Sequence, residues 1–251
     1  MLLNIWVNYM KKRSKKSKQI LRTLVYVVVI LLCAYFNFGE EKEIESNAKN
    51  DVIYYELSSI PEYSGEIYIE VNNNIPRFTA EDMNLEEDYY SDLVNEKVGM
   101  AMVKTSWKKS KADNIKDDYS SITPTGFKQK KYSSSVIPGG YLYNRCHLIA
   151  WMLGGVDVDE RNLMTGTRDF NIKGMKYFED IVYDYLEENK ENHVMYRVTP
   201  YFETDNSLAS GVNIEAYSIE DNGDLSFNVY VYNVQDKIVI DYATGESELE
   251  K

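Results

Sequence analysis

Apolar and polar positions change rhythm several times along this chain, and the changes divide it. Thr23–Gly39 run without a charge, centred on Leu24 to Leu32, directly after seven cations between Lys11 and Arg22. Glu40–Asn50 is acidic and polar with no period, the signature of a solvated linker. Regular patterning starts near Tyr54. Ile67-Tyr68-Ile69-Glu70-Val71 alternates as a strand does, and Asn72-Asn73-Asn74 ends it. Thr79 with Asp82 forms a capping box for a short acidic helix. Val98–Val103 reads as a strand and Ser106–Asp118 as a loop. Turns are expected at Pro124-Thr125-Gly126, at Pro138-Gly139-Gly140 and at Gly154-Gly155, with a strand over Tyr141–Ile149.

Arg168–Asn189 predicts a helix. Phe170, Met175, Phe178, Val182 and Tyr185 recur at spacings of three to five and give it an apolar face. Strands follow over His193–Thr199, Gly211–Ile219 and Leu225–Val234, the last two joined by an Asn222-Gly223 hairpin signal. Ile238-Val239-Ile240 reads as a short edge. No internal repeat is visible. The expected class is α+β: a central, largely antiparallel sheet with one crossing helix. The expected segments are 1–22 (basic, cytoplasmic), 23–39 (membrane anchor or signal peptide), 40–53 (linker) and 54–251 (the globular domain).

Charge sharpens this division. The formal net charge is −12. No acid occurs before Glu40, so the remainder carries 21 cations against 40 anions, a charge of −19. An acidic domain is not the usual footprint of a nucleic-acid binder. A local basic groove or a divalent cation would be needed to offset it. The N-terminal order, cations then an apolar run, suits a signal anchor or a secretion signal. The run falls slightly short of the ~20 residues of a comfortable span. Bulky residues from Tyr35 to Phe38 offer no clean cleavage site, which favours an uncleaved anchor. Positive-inside bias then leaves the globular part outside the cell, or secreted if the segment is removed. Cys33 and Cys146 are far apart in sequence and are not expected to pair, and two histidines are too few for an ordinary His/Cys zinc site.

Three short segments carry candidate chemistry: Tyr143–Ile149, Arg161–Thr167 and Asp169–Asn171. On a strand, Arg145 and His147 share one face while Asn144 and Cys146 share the other. That separation excludes a Cys146–His147 thiol-protease pair. It sets a guanidinium beside an imidazole, a pair suited to phosphodiester hydrolysis: the imidazole takes a proton from water and the guanidinium steadies phosphate. A lone histidine is more often structural, and His193, which opens a strand far from these segments, is read that way. Asn171 offers a neutral amide oxygen, a weak anchor for Mg²⁺ that leaves the ion strongly Lewis-acidic. Glu179 lies eight residues on, about two helical turns along, as a holder of water. Capping or plain solvation is the commoner role for either residue at a helix start.

Taken together, Asn144-Arg145-Cys146-His147, Asn162-Leu163-Met164-Thr165-Gly166-Thr167-Arg168 and Asn171 with Glu179 resemble the DNA/RNA non-specific endonucleases of the ββα-metal (His-Me finger) fold. The branch most similar is that of the streptococcal DNA-entry and secreted DNases. The family's Asp-Arg-Gly-His reads Asn-Arg-Cys-His here. The likeness extends from about Ile60 to Gly245, including Tyr232-Asn233-Val234-Gln235. It implies that His147 is the general base and that Asn171 holds one Mg²⁺, with Mn²⁺ as a substitute. It implies that Arg145 contacts phosphate, Asn162 supports metal or substrate, and Glu179 orients water. Arg168, Lys128, Lys130 and Lys131 become candidate substrate contacts. The substrate would be DNA, with RNA as an alternative, and the products would end in 5′-phosphates. Two other readings compete: a membrane-bound nucleic-acid receptor that has lost cleavage, and a surface adhesion module. The retained His147 and Asn171 argue against the first, and the ordered motifs against the second. The −19 charge predicts weak electrostatic steering of polyanions, hence a shallow salt dependence.

Overall fold

The computed structural model describes residues 60–111, 118–156 and 158–251. All of them belong to one compact unit, Val52–Lys251. The expected segments 1–22, 23–39 and 40–53 lie outside the described residues. Among those described, no helix is long and apolar enough to cross a membrane.

In chain order the elements are β1 (Tyr68–Glu70), α1 (Ala80–Met83), β2 (Tyr89–Tyr90), β3 (Ala101–Ser106), α2 (Trp107–Ser110), β4 (Tyr143–His147) and β5 (Leu163–Thr167). A π-helical turn over Phe170–Met175 then runs into α3 (Lys176–Glu188). The chain closes with β6 (His193–Tyr201), β7 (Gly211–Ser218), β8 (Ser226–Tyr232), β9 (Ile238–Ile240) and β10 (Ser247–Leu249).

Six strands form the central sheet in the order β1-β8-β7-β6-β3-β2, every pair antiparallel. The expected antiparallel sheet is therefore present. Local signals placed much of it. Asn222 and Gly223 take φ of 60° and 92°, the left-handed conformation that a tight hairpin needs, between β7 and β8. Thr79 caps α1 in a reciprocal capping box with Asp82. Asn72, Asn73 and Asn74 all take positive φ, which asparagine tolerates, and turn the chain off β1.

Other boundaries moved. The strand expected over Val98–Val103 occupies Ala101–Ser106, where its register is fixed by pairing with β6. Part of the expected 106–118 loop is α2, capped by the Ser106 side chain. Ile238–Ile240 does not extend the central sheet. It pairs with Ser247–Leu249 in a separate hairpin that sequence reading missed.

The sheet's two faces have opposite chemistry. On one, Val103, Val194, Tyr196, Val198, Val212, Ile214, Val229 and Val231 join a core with Phe170, Met175, Phe178, Val182 and Leu186 of the helix. This apolar stripe is what the 3-to-5 spacing in the sequence encodes. On the other face, Arg197, Glu215 and Asn228 stand opposite one another across β6, β7 and β8. All three are buried. A strap over residues 74–82 covers them. Arg197 pairs with Glu215 at 2.7 Å and with Asp82 at 3.3 Å, and donates to the Arg77 carbonyl.

Candidate active site

The strand bearing His147 is not part of the central sheet. Among the described residues β4 pairs with β5 alone, with Arg145 opposite Thr165 and His147 opposite Leu163. The helix follows β5 directly, giving a strand–strand–helix unit laid on the apolar face. The strand expected over Tyr141–Ile149 is shorter, Tyr143–His147. Cys146 is buried in the core, whereas Asn144, Arg145 and His147 are half-buried. Gly166 permits the tight contact between hairpin and helix. A Cβ there would lie 2.5 Å from both Cys146 Sγ and Phe170 Cδ1.

His147 ends β4. Its ring meets Tyr119 edge-on, centroids 5.0 Å apart. Beyond it the chain is fixed by Asn162, which is fully buried. The Asn162 amide accepts from Ile149 N–H at 2.9 Å and donates to the carbonyls of Ile149 at 3.1 Å and Val156 at 2.8 Å. Both N–H groups of this amide and its oxygen hold the 149–156 loop, so its support of metal or substrate would act through that loop. Asn162 is a positioning residue for the segment that leaves His147.

Asn171 lies in the π-turn, and its backbone carbonyl accepts from Lys176 N–H. No hydrogen bond to another described residue engages its side chain, and the residue is half-buried. Glu179 sits in the first turn of α3. The residue keeps a little solvent contact, but its carboxyl is crowded by protein. Burial is the main cause that raises its pKa from 4.5 to about 8; Asp180 adds to the rise and Lys176 opposes it. Glu179 also lies within electrostatic reach of the Cys146 thiol and the Tyr196 hydroxyl. Burial first, and this carboxylate second, push both well above their usual range. Cys146 is accordingly a core residue rather than a nucleophile.

The expected substrate contacts separate in the structure. Arg145 donates to the carbonyls of Ser120 and Ile122 and stacks on Phe127 at 4.5 Å, so its fork holds the 120–127 loop. Arg168 is half-buried, with an Nε that has no hydrogen-bond partner among the described residues. Lys128 pairs with Glu246 at 3.1 Å, Lys130 donates to the Ser247 carbonyl at 2.5 Å, and Lys131 lies 4.4 Å over the Tyr141 ring. These three lysines flank the start of β4, about 13 Å of strand away from His147. They brace the C-terminal hairpin and Tyr141. His193 pairs with Glu220 at the start of β6, as its structural reading anticipated.

Sequence reading missed two residues that fix the helix start. Buried Asn233 accepts from Thr167 N–H at 2.9 Å and donates to the carbonyls of Thr165 and Ala209. Gln235 accepts from Asp169 N–H at 3.0 Å. The signal was present in the Tyr232–Gln235 stretch, where two amides interrupt an apolar strand.

A divalent cation suits the oxygens here: the Asn171 amide oxygen is available, and Glu179 is a carboxyl raised by burial that a cation would bring back down. Asn144 Nδ2 and Arg168 Nε, buried without hydrogen-bond partners among the described residues, are N–H donors and suit a phosphate oxygen rather than the ion. Among the described residues no three His, Cys, Asp or Glu converge as a metal site.

Residues 81–220 match the sequence model of the DNA/RNA non-specific endonucleases. The chain belongs to that family. A deoxyribonuclease of Streptococcus dysgalactiae subsp. equisimilis is 31% identical over 128 residues, which are 49% of this chain and 36% of that relative. The chain thus matches little more than a third of that relative's length. In structure, this family member is similar to NucA of Streptococcus agalactiae with magnesium bound. The TM-score is 0.62 at 27% identity, covering 78% of this chain and 93% of that one. It is also similar to the Sda1 nuclease with a bound zinc ion, at TM-score 0.56 and 25% identity, covering 63% and 80%.

Proposed function

We propose that this chain hydrolyses phosphodiester bonds within DNA, and accepts RNA, using one Mg²⁺ held by Asn171 and His147 as the general base. The observation that supports this best is the strand–strand–helix unit. It presents a half-buried histidine at a strand end and an unengaged amide at the helix start, in a member of a non-specific endonuclease family. The magnesium bound to NucA supports the choice of ion, and Mn²⁺ serves in its place. When bound, the ion supplies charge neutralisation at the phosphate and stabilises the departing oxygen. His147 takes the proton of the attacking water, and Tyr119 restricts its ring. Glu179 accepts a hydrogen bond from water at the site. Arg168 contributes its unpartnered Nε to a phosphate oxygen, a role better suited to it than to Arg145, whose donors hold a loop. Departure of the 3′ oxygen leaves 5′-phosphate ends.

The seven cations before the uncharged 23–39 segment support a membrane-tethered or secreted enzyme that acts outside the cell. Nuclease activity confined to the cytosol after fractionation would overturn that placement. The catalytic reading is tested on plasmid DNA with Mg²⁺. His147→Ala and EDTA are each expected to lower cleavage at least ~10³-fold. Products should ligate without prior phosphorylation. Undiminished cleavage by folded His147→Ala would remove the histidine from its role, and end-labelling only after a 3′-phosphatase would reverse the bond polarity.

A further inference from the structure

The helix carrying Asn171 and Glu179 is π-helical over Phe170–Met175. A π-turn closes through i→i+5 hydrogen bonds and takes in one extra residue without ending the helix. The extra residue matters for phase. Eight positions of unbroken α-helix advance about 800°, leaving the ends about 80° apart around the axis. Across a π-turn, eight positions count as about seven, which advance about 700°, within about 20° of two full turns.

Burial reports the same phase independently. Phe170 and Phe178 are also eight apart, and both enter one core cluster at 0% and 4% exposure. Asn171 and Glu179 each follow one of those rings by a single residue, and both are half-buried. We infer that the π-turn is a phasing device: it brings the Asn171 amide and the Glu179 carboxyl onto one flank of the helix, about two turns apart. This rests on the proposed roles of those two residues.

The turn is held at both ends. Upstream, Gln235 accepts from Asp169 N–H and Thr167 Oγ1 accepts from Phe170 N–H at 3.1 Å. Downstream, Gly174 seats against β8, where a Cβ would lie 2.4 Å from Val231 Cγ1, and Met175 is fully buried. The slack faces solvent at Ile172, which is 41% exposed.

Three variants of the full chain test the phasing, read by Mn²⁺ affinity from electron paramagnetic resonance and by thermal unfolding. Asn171→Ala is expected to weaken Mn²⁺ about tenfold or more. Excision of Ile172 removes the extra residue and leaves seven regular α positions. It should fold and hold Mn²⁺ within about threefold of the parent. Asn171→Ala combined with Ile172→Asn moves the amide one position, about 100° around the axis, and should bind as poorly as Asn171→Ala alone. Excision that abolishes folding or weakens Mn²⁺ more than tenfold would overturn the phasing alone, provided Asn171→Ala is also weak. Parental affinity in the shifted-amide variant would overturn it too. Parental affinity in Asn171→Ala would overturn the metal-holding role and the phasing with it.

Discussion

The two faces of the central sheet are held to their coverings by different physics. Beneath the helix the contacts are apolar and close, set by volumes such as the missing Cβ of Gly174 against Val231. Two polar atoms on this side, Tyr196 Oη and Thr105 Oγ1, are buried without hydrogen-bond partners among the described residues. Beneath the strap the contacts are directional. Glu215 accepts from Arg197 and from Arg77 N–H, and Asn228 donates to the Ile75 carbonyl and accepts from Asn213. A dense apolar contact fixes position through shape and tolerates little change in volume. A charge ladder fixes register and tolerates little loss of a partner. The site-bearing unit rests on the first kind, so its geometry should respond most to added or removed atoms.

The largest effect is expected on the polar face. Arg197→Met leaves Glu215 and Asp82 buried without their cation, a loss of about 3–5 kcal/mol. Unfolding by denaturant should show it, while cleavage by the molecules still folded stays near the parent. A loss below 1 kcal/mol would mean the ladder is more hydrated than its burial indicates. On the site side, the nearest equivalent is Asn162. Replacing it with Ala strands the Ile149 N–H and two carbonyls, at a cost of about 2–3 kcal/mol. Here cleavage should fall as well, about tenfold, because the loop leaving His147 loosens. Stability lost with cleavage intact would separate this clamp from the site.

A smaller and more specific effect is expected at the helix seat. Gly174→Ala overpacks against Val231 by about 1–3 kcal/mol. Val231→Ala should restore most of the stability when combined with it, since it removes the atom the new methyl meets. Failure of that rescue would place the strain elsewhere in the turn.

How much of this could be read in the sequence follows the same division. The apolar face was legible, because Phe170, Phe178 and Val182 recur at helical spacing and the strands of β6–β8 alternate. The hairpin at Asn222-Gly223 and the Thr79 cap were legible because their chemistry is local. The polar face was not. Arg197, Glu215 and Asn228 alternate with apolar residues as solvent-facing positions would, and only the strap, more than a hundred residues away in sequence, shows that they are buried. The π-turn left one mark, the five-residue gap between the buried Phe170 and Met175. An α-helix would turn that pair apart by about 140°. His147, Asn171 and Glu179 could be singled out by their ordered motifs. That Asn162 and Arg145 instead clamp loops could not, since an amide and a guanidinium look alike in sequence whether they meet phosphate or a carbonyl.

The effect that depends on pH concerns Glu179, whose carboxyl is crowded against the apolar side without the ion partners that the strap side provides. Its folded pKa, about 8, exceeds its ordinary value of 4.5. Between those values the folded, metal-free chain keeps a proton that the unfolded chain has lost. Stability from this group is therefore fully present below about pH 4.5 and declines as pH rises through 8. Glu179→Gln stays neutral throughout. In chelator its melting temperature should match the parent near pH 4.5 and exceed it by on the order of 10 °C at pH 8.5. Mg²⁺ should narrow the gap at pH 8.5, because a cation compensates the parent's carboxylate and does nothing for an amide. A gap that is the same at both pH values would show that the carboxyl is solvated. A gap that Mg²⁺ leaves untouched would show that Glu179 does not sense the bound ion.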